Sequence, residues 1–497
     1  MSNVVIVGAG PVGLLLAREL RIAGVSTVVL ERRTRRSPHS KALTLHPRTA
    51  EILAMRALAA ALLESAPRIP SGHFGVLEQR LDFTELDTDF PFTLVVPQRD
   101  TEQLLEDAAL RAGVEIRFGH RVRTLRQTDD TVVLEVQDGA STYALTADYV
   151  VGCDGAQSIV RAAAGIDFPG SESTTFGYLG DVVLDDPPPG GVLSHHSGSG
   201  VVMIVPLPGG LFRFVGVDPA RQNPGAALDL GELRDTVTRI AGTDFGMRDP
   251  VWLSRFGNSA RLAATYRAGR VLVAGDAAHI HFPAGGVGLN VGLQDAFNLG
   301  WKLAAVVRRR APASLLDTYH AERHPVGADL LVSSQAQTAI ITAFSAEGQA
   351  LRCLLNELLG DVGDLGSTLA ARLSGLSVRY PAGDGADRLV GTRTPNLDVT
   401  TDTGPARLFD LFGTGRFVLL ERDGTRTHDR DDSVVTAHID DAASARLGGG
   451  GNSLRSILIR PDGHVMWVLR DSPGSPATDH GVPEVDTLLT DYASAGY

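Results

Sequence analysis

The chain opens on a run of apolar, mostly β-branched residues, Val4-Val5-Ile6-Val7, with no polar position to mark an exposed face. Such a run predicts a strand covered on both sides, as in a parallel sheet. Residues 14–23 change period, and Leu15, Leu16, Ala17 and Leu20 supply one apolar face of a helix. Residues 25–30 return to strand character and end at Glu31. Strand, helix and strand within about thirty residues make a βαβ unit. The buried-strand signature recurs at residues 149–152 and 270–274. The second of these leads through a Pro- and Gly-rich loop into a long helix from about Val291 to Arg308-Arg309-Arg310, with Pro312 as its breaker. Between residues 168 and 258 the pattern alternates instead, with strands predicted at 178–184, 200–206 and 211–217. That reads as a mostly antiparallel sheet. The last hundred residues alternate strands, at 416–420 and 456–459, with short helical stretches and a flexible loop over Gly448 to Gly451. His320-Ala321-Glu322-Arg323-His324 reads as a surface helix end before Pro325.

At 497 residues, about three folding units are expected. The 43% hydrophobic content is enough for large cores and excludes global disorder. A net charge of −12 repels phosphate backbones, so nucleic acid is not an expected partner. Cys153 and Cys353 are the only cysteines, which leaves no disulfide framework and fits a reducing cytoplasm. The longest apolar stretch, residues 4–17, is broken by Gly8, Gly10, Pro11 and Gly13. It falls short of the about 18 residues of a membrane span, and no Lys or Arg precedes it as in a signal peptide. A cytoplasmic monomer or homodimer without a membrane partner is the expectation. Of 46 basic residues only Lys41 and Lys302 are lysine, so each stands out.

The first turn of the βαβ unit is Gly8-Ala9-Gly10-Pro11-Val12-Gly13. In a GxGxxG turn Gly8 permits the bend, Gly10 lets a pyrophosphate approach the backbone, and Gly13 lets helix and strand pack closely. The helix N-terminus offers free N–H groups to phosphates. Glu31, at the end of the second strand, suits a ribose hydroxyl, and neighbouring Arg32 suits the adenine–phosphate end. Strand, turn, strand and acid together predict dinucleotide binding, and leave NAD and FAD both open. Asp154 in Val151-Gly152-Cys153-Asp154-Gly155 and Asp276 in Val273-Ala274-Gly275-Asp276 each follow a predicted strand. His279 and His281 form an HxH pair without a visible third ligand, so no metal site is predicted. Neither a GxSxG elbow nor a GxxxxGK loop occurs.

GAGPVG with Glu31-Arg32, VGCDGAQSIVR and VLVAGDAAH…PAGGVGLN resemble, in order and spacing, the three flavin motifs of FAD-dependent aromatic hydroxylases of the para-hydroxybenzoate hydroxylase type. The nearer likeness is to actinomycete oxygenases of aromatic polyketides, the anthracyclines and angucyclines, and it runs over nearly the whole chain to ILIRPDGHVMWV. The resemblance implies an α/β fold with a Rossmann-like FAD-binding domain (1–75, 98–167 and 259–394). A substrate-binding, mostly antiparallel sheet domain (76–97 and 168–258) would be inserted in it, and a C-terminal thioredoxin-like domain (395–497) would follow. It further implies Gln98 along the ribityl chain, Val122 beside the cofactor, and Asp154 where nicotinamide and flavin sites meet. Asp276 would lie on a ribityl hydroxyl, with Gly288, Leu289 and Asn290 at the pyrimidine edge. Pro283 and Gly286 would flank the flavin's reactive face. Met203, Phe212 and Phe214 are candidates for the substrate pocket. Lys41 departs from the family, which commonly has Arg in this loop; lysine brings a flexible point charge without a planar fork. It is expected to meet the pyrophosphate or a mobile flavin.

The implied activity is a single-component monooxygenase of antibiotic biosynthesis. NADPH or NADH would visit transiently to reduce FAD, and O₂ would give a C4a-hydroperoxyflavin that hydroxylates a phenolic polyketide. Baeyer–Villiger insertion and antibiotic inactivation use the same scaffold, and a flavin-carrying polyketide-binding protein is the non-enzymatic alternative. No catalytic acid or base is assigned from the sequence.

Overall fold

The computed structural model describes residues 2–223, 225–422, 432–448, 454–470 and 483–494. Strand Ser2–Val7 lies between Thr27–Glu31 and Ser141–Gly152 and runs parallel to both. Val271–Val273 continues the sheet beyond Ser141–Gly152, and Glu115–Phe118 continues it beyond Thr27–Glu31, again parallel. The carboxyl ends of these strands therefore share one edge. Val4 and Ile6 pack into one core and Val5 and Val7 into another, so the opening apolar run is covered on both faces. Helices Pro11–Ile22, Gln98–Arg111 and Gly288–Val307 cover one side, and the hairpin His120–Gln127/Val132–Asp138 covers the other.

The second sheet has the order Leu193–Ser197, Gly200–Leu207, Leu211–Val217, Phe176–Leu184, Met247–Gly257, with every pair antiparallel. One face packs under helix Leu230–Ala241, where Tyr178, Val182, Val202, Ile204 and Phe214 meet Leu233, Val237 and Ile240. Each such side chain contributes about 1.5–3 kcal/mol on burial. Asp229 caps this helix by accepting from the Glu232 amide, and Gly242 ends it at φ +83°. The other face turns Val201, Met203, Val217 and Phe256 toward Phe282, Ala284 and Ile341. The sheet thus roofs the loop that follows Val271–Val273.

The C-terminal sheet has the order Gly404–Arg407, Asp398–Thr401, Val434–Ile439, Phe417–Arg422, Leu454–Ile459, Val465–Arg470. Phe417–Arg422 and Val434–Ile439 are its parallel pair. Residues 449–451 of the expected flexible loop lie outside the described residues.

Three expectations need correction. The long helix begins at Gly288, three residues early, because Asn290 is bonded to Thr44 and Gly286 and so holds a first turn whose glycine has low helix propensity. Residues 320–324 are no helix end: they lie inside helix Asp317–Ile341, which continues through Pro325. Buried Tyr319, Glu322 and Arg323 before the proline and Leu330 after it hold the helix together across it. Residues 76–97 do not join the roof sheet; Thr93–Val95 pairs with Thr44–Leu45 and Arg68–Ile69, and Leu81–Asp82 with Ser71–Gly72. Only Val76 reaches the roof's apolar face. Among the described residues no helix is long and apolar enough to cross a membrane.

Candidate functional site

The parallel sheet gathers four sequence motifs because each follows a strand whose carboxyl end lies on the same edge. This is where open α/β sheets bind ligands. Gly8 bonds the Leu30 carbonyl at 2.8 Å and holds φ +109°. A Cβ there would stand 2.3 Å from the Cys153 carbonyl, so the first turn and the Asp154 turn touch through backbone. A Cβ on Gly13 would stand 2.1 Å from the Gly8 carbonyl, which is the close helix–strand contact the motif requires. At Gly10 a Cβ would meet nothing within 4 Å. The backbone is therefore bare on that side, at the N-terminus of a helix that starts with Pro11 and has no side-chain cap. Val12 packs onto Gly275 and Gly292, joining this turn to the Asp276 loop and the long helix. Glu31 accepts from the amides of Ala9 (3.0 Å) and Arg33 (2.9 Å), with Arg32 exposed beside it.

Asp154 accepts from the Ile159 amide at 2.8 Å through Oδ2, while its Oδ1 is buried without a partner among the described residues. Burial raises its pKa, and the Ser158 hydroxyl together with the neighbouring amides offsets this only in part. Arg161 donates to the Ala277 carbonyl at 2.8 Å and so ties this turn to the Asp276 loop. The Asp276 side chain is reachable by water but sits deep among protein atoms. That crowding raises its pKa, while His279 and Lys41 pull it down.

Lys41 is exposed on a loop held from two sides. Gln98 accepts from the Ala42 amide at 3.1 Å, and Ser40 accepts from the Arg99 amide at 3.1 Å. From the roof sheet, Arg213 donates to the Lys41 carbonyl at 3.0 Å. Arg213 is itself fixed by two 2.7 Å bonds to Asp181. His39 stacks on Trp252 of the same sheet at 5.2 Å.

The loop from Pro283 to Asn290 closes the crevice. Pro283 is exposed, while Gly286, Gly288 and Leu289 are half-buried. Gly286 has φ +66°, and a Cβ there would strike the Thr44 hydroxyl at 2.3 Å. His46 binds the loop twice: its amide donates to Asn290 Oδ1 at 2.8 Å and its Nε2 to the Gly285 carbonyl at 2.8 Å. Burial lowers its pKa to about 4, so the ring is neutral and carries its proton on the nitrogen facing that carbonyl. The first turn of Gly288–Val307 has no side-chain cap and presents N–H groups.

Of the pocket candidates, Met203 lies on the roof face above this loop, with Phe256, Phe282 and Phe344 packed around the same cluster. Phe212 and Phe214 do not; they point to the opposite face, against helix Leu230–Ala241. Alternation put them on one side of a strand, and the helix claimed that side. The Val122 side chain is core, packed with Val7 and Leu30. His279 meets Asp295 at 2.7 Å, and His281 Nδ1 donates to the Phe282 carbonyl at 2.5 Å.

Sequence reasoning missed Asp295, which is wholly buried and accepts from the Gly275 amide (3.1 Å), His279 and Arg323 (2.8 Å). Burial alone would raise its pKa; Arg323 and His279 bring it below the usual carboxylate range. An aspartate within an apolar helix was the signal. Arg213 and Asp181 were likewise missed, as a polar pair on neighbouring strands.

A bare Gly10 backbone, two uncapped helix N-termini, an orphaned buried carboxylate oxygen and an acid at a strand end fit a phosphate- and ribose-bearing dinucleotide. Fold and crevice thus define a dinucleotide-binding α/β protein with an antiparallel roof. The FAD-binding-domain family model matches residues 1–334, and the model described as aromatic-ring hydroxylase, C-terminal, matches residues 387–485. The chain belongs to the FAD-dependent aromatic-ring hydroxylases. It is 47% identical to an uncharacterized aromatic compound monooxygenase of Bacillus subtilis over 94% of both chains. It is 40% identical to a rifampicin monooxygenase of Streptomyces venezuelae, covering 95% of this chain and 96% of that one. Among solved structures it is similar to the anhydrotetracycline hydroxylase of Streptomyces rimosus, with TM-score 0.85 and 41% identity over 95% and 96% of the two chains.

Proposed function

We propose that the protein hydroxylates a phenolic, polycyclic substrate of polyketide type, using FAD, NAD(P)H and O₂, in the cytoplasm. One observation carries the reading: the glycine turn, the Asp154 turn, the Asp276 loop and the Gly288 helix adjoin at one sheet edge, beside a loop covered by the apolar roof. Relatives named for rifampicin and anhydrotetracycline support the substrate class.

In this reading Gly8, Gly10, Pro11, Val12 and Gly13 present the first helix N-terminus to the pyrophosphate, and Glu31 takes a ribose hydroxyl. Gln98 and Asp276 hold the ribityl chain, and Gly288, Leu289 and Asn290 direct N–H groups at the pyrimidine edge. Such N–H groups would stabilise negative charge developing on a bound cofactor there. FAD, when bound, would supply the redox chemistry of monooxygenation, in which NAD(P)H electrons reduce O₂ so that one oxygen atom enters the ring and the other leaves as water. The chain's own part is to exclude water and orient the ring. Met203, Phe256, Phe282 and Phe344 form that apolar wall, and Pro283 and Gly286 flank the reactive face.

The test mixes purified holoprotein, NADPH or NADH, O₂ and a panel of polyphenols, and follows cofactor oxidation, peroxide release and product mass. Substrate-stimulated oxidation with a product heavier by one oxygen and an intact ring system is expected. No stimulation by any aromatic would defeat the proposal, and ring expansion would move it to Baeyer–Villiger chemistry.

A further inference from the structure

The turn Arg460-Pro461-Asp462-Gly463-His464 links two strands of the C-terminal sheet, yet Arg460 and Asp462 are entirely buried against the N-terminal unit. Three helices of the N-terminal unit hold it. Arg48, in helix Pro47–Ala54, donates to the Asp462 carbonyl at 2.7 Å, and Arg56, just beyond that helix, donates to the Pro461 carbonyl at 3.0 Å. Trp301, in helix Gly288–Val307, donates from Nε1 to Asp462 Oδ2 at 3.1 Å. Glu322, in helix Asp317–Ile341, accepts from Arg460 at 2.7 and 3.1 Å and pairs with Lys302 at 2.8 Å.

The first two helices both begin at the crevice. Pro47–Ala54 follows His46, whose amide is bonded to Asn290, and Gly288–Val307 starts with the N–H groups that close the loop. A helix moves as a stiff rod, so what holds it along its length sets where its first turn points. We propose that the 460–464 turn positions the flavin site, with Arg460 and Asp462 as positioning residues. By gripping Pro47–Ala54 through Arg48 at its start and Arg56 beyond its end, and Gly288–Val307 through Trp301, the C-terminal unit sets the spacing between the His46 strap and the Gly288-Leu289-Asn290 amides. This rests on the placement of FAD proposed above. Two other ion pairs of the C-terminal unit, Arg407–Asp89 and Arg446–Asp87, are half-exposed or exposed and join residues outside both helices.

The test titrates FAD into apoprotein by flavin fluorescence quenching, records the visible circular dichroism of bound FAD, and measures thermal midpoints by far-UV circular dichroism. Asp462→Asn is expected to raise the FAD dissociation constant about tenfold and to alter the visible dichroism. Trp301→Phe, which removes the donor and keeps a smaller aromatic ring, should shift both in the same direction by about threefold. Asp89→Asn, which breaks a surface pair, should leave both at wild-type values whatever it does to the midpoint. Wild-type affinity and dichroism in folded Asp462→Asn and Trp301→Phe would overturn the proposal, as would Asp89→Asn weakening FAD as much as Asp462→Asn. Should Asp462→Asn not fold, Trp301→Phe decides alone. Wild-type protein that fails to bind FAD would instead overturn the proposed function.

Discussion

The two lysines mark two regions that use charge in opposite ways. Lys41 is exposed at the crevice, where the chain leaves polar groups unspent: Asp154 Oδ1 has no partner among the described residues, and two helix N-termini lack side-chain caps. Lys302 is wholly buried at the junction with the C-terminal unit, where Glu322, Arg460 and Asp462 neutralise one another at hydrogen-bond distance. Burial there pushes Lys302 down to about 8, against the pull of Glu322, while Arg460 and Lys302 overcome burial and hold Glu322 at about 2. The contrast separates binding from building. In the proposed reading the crevice charges are left for a ligand, whereas the junction pairs its four charges within the chain.

The hardest blow to the junction is Glu322→Ala, which strands Lys302 as a buried cation and leaves Arg460 with Asp462 alone. Breaking a buried pair from one side costs about 3–5 kcal/mol, so urea unfolding should show a loss of that size. A loss below about 1 kcal/mol, the range of surface pairs, would erase the distinction between the regions. At the crevice the matching blow is Asp276→Ala, expected to give colourless or weakly yellow protein with a near-normal urea midpoint. Full FAD occupancy after purification would contradict the role given to Asp276. Glu31→Ala is the milder companion, with FAD affinity falling about tenfold on titration through loss of a charged hydrogen bond.

Much of the crevice was legible in the sequence because its geometry is local. A run of four apolar residues, a glycine turn and a terminal acid dictate a parallel strand, a bare backbone and a placed carboxylate without reference to distant residues. The junction was not legible, because its partners meet only in the fold: Arg48 and Asp462 stand 414 positions apart. An arginine in a surface loop and one in a buried turn look alike in sequence. The usable signals were Asp295 and Lys302, single charges inside an otherwise apolar helix. Phe212 and Phe214 failed for a related reason. Alternation tells which residues share a face, but only the helix packed on the sheet decides which face is core.

Acid should separate the regions by pH. Burial lowers His46, His73 and His281 near the crevice to about 4 in the folded protein, against about 6.5 unfolded. Between those values the unfolded chain binds more protons, so the stability these rings allow is present above 6.5 and lost as pH falls toward 4. His464 gives the junction one such ring. Glu322, lowered from 4.5 to about 2, contributes stability that is complete above 4.5 and lost only as pH falls toward 2. FAD release, read as rising flavin fluorescence, should therefore precede the loss of far-UV dichroism on acidification. The reverse order would mean that the junction, not the crevice, yields first.

The smallest expected effect is at Lys41, where it is also the most specific. The side chain is exposed, so removing it opens no cavity and strands no buried group. Its loop is held by the Ala42 amide on Gln98, by Ser40 Oγ accepting from the Arg99 amide and by Arg213 on the Lys41 carbonyl, all of which survive truncation to alanine. What disappears is a positive charge near Asp276, and with it an attraction that pulls the Asp276 pKa down. Lys41→Ala should thus leave the urea midpoint unchanged and weaken FAD by about threefold, while slowing NAD(P)H-driven flavin reduction by more than that, since the loop faces the solvent side where a reductant arrives. Lys41→Arg should restore affinity, because charge rather than shape is the operative property. If alanine leaves both FAD retention and the reduction rate at wild-type values, Lys41 belongs with the solvated surface and the contrast between the two lysines reduces to burial alone.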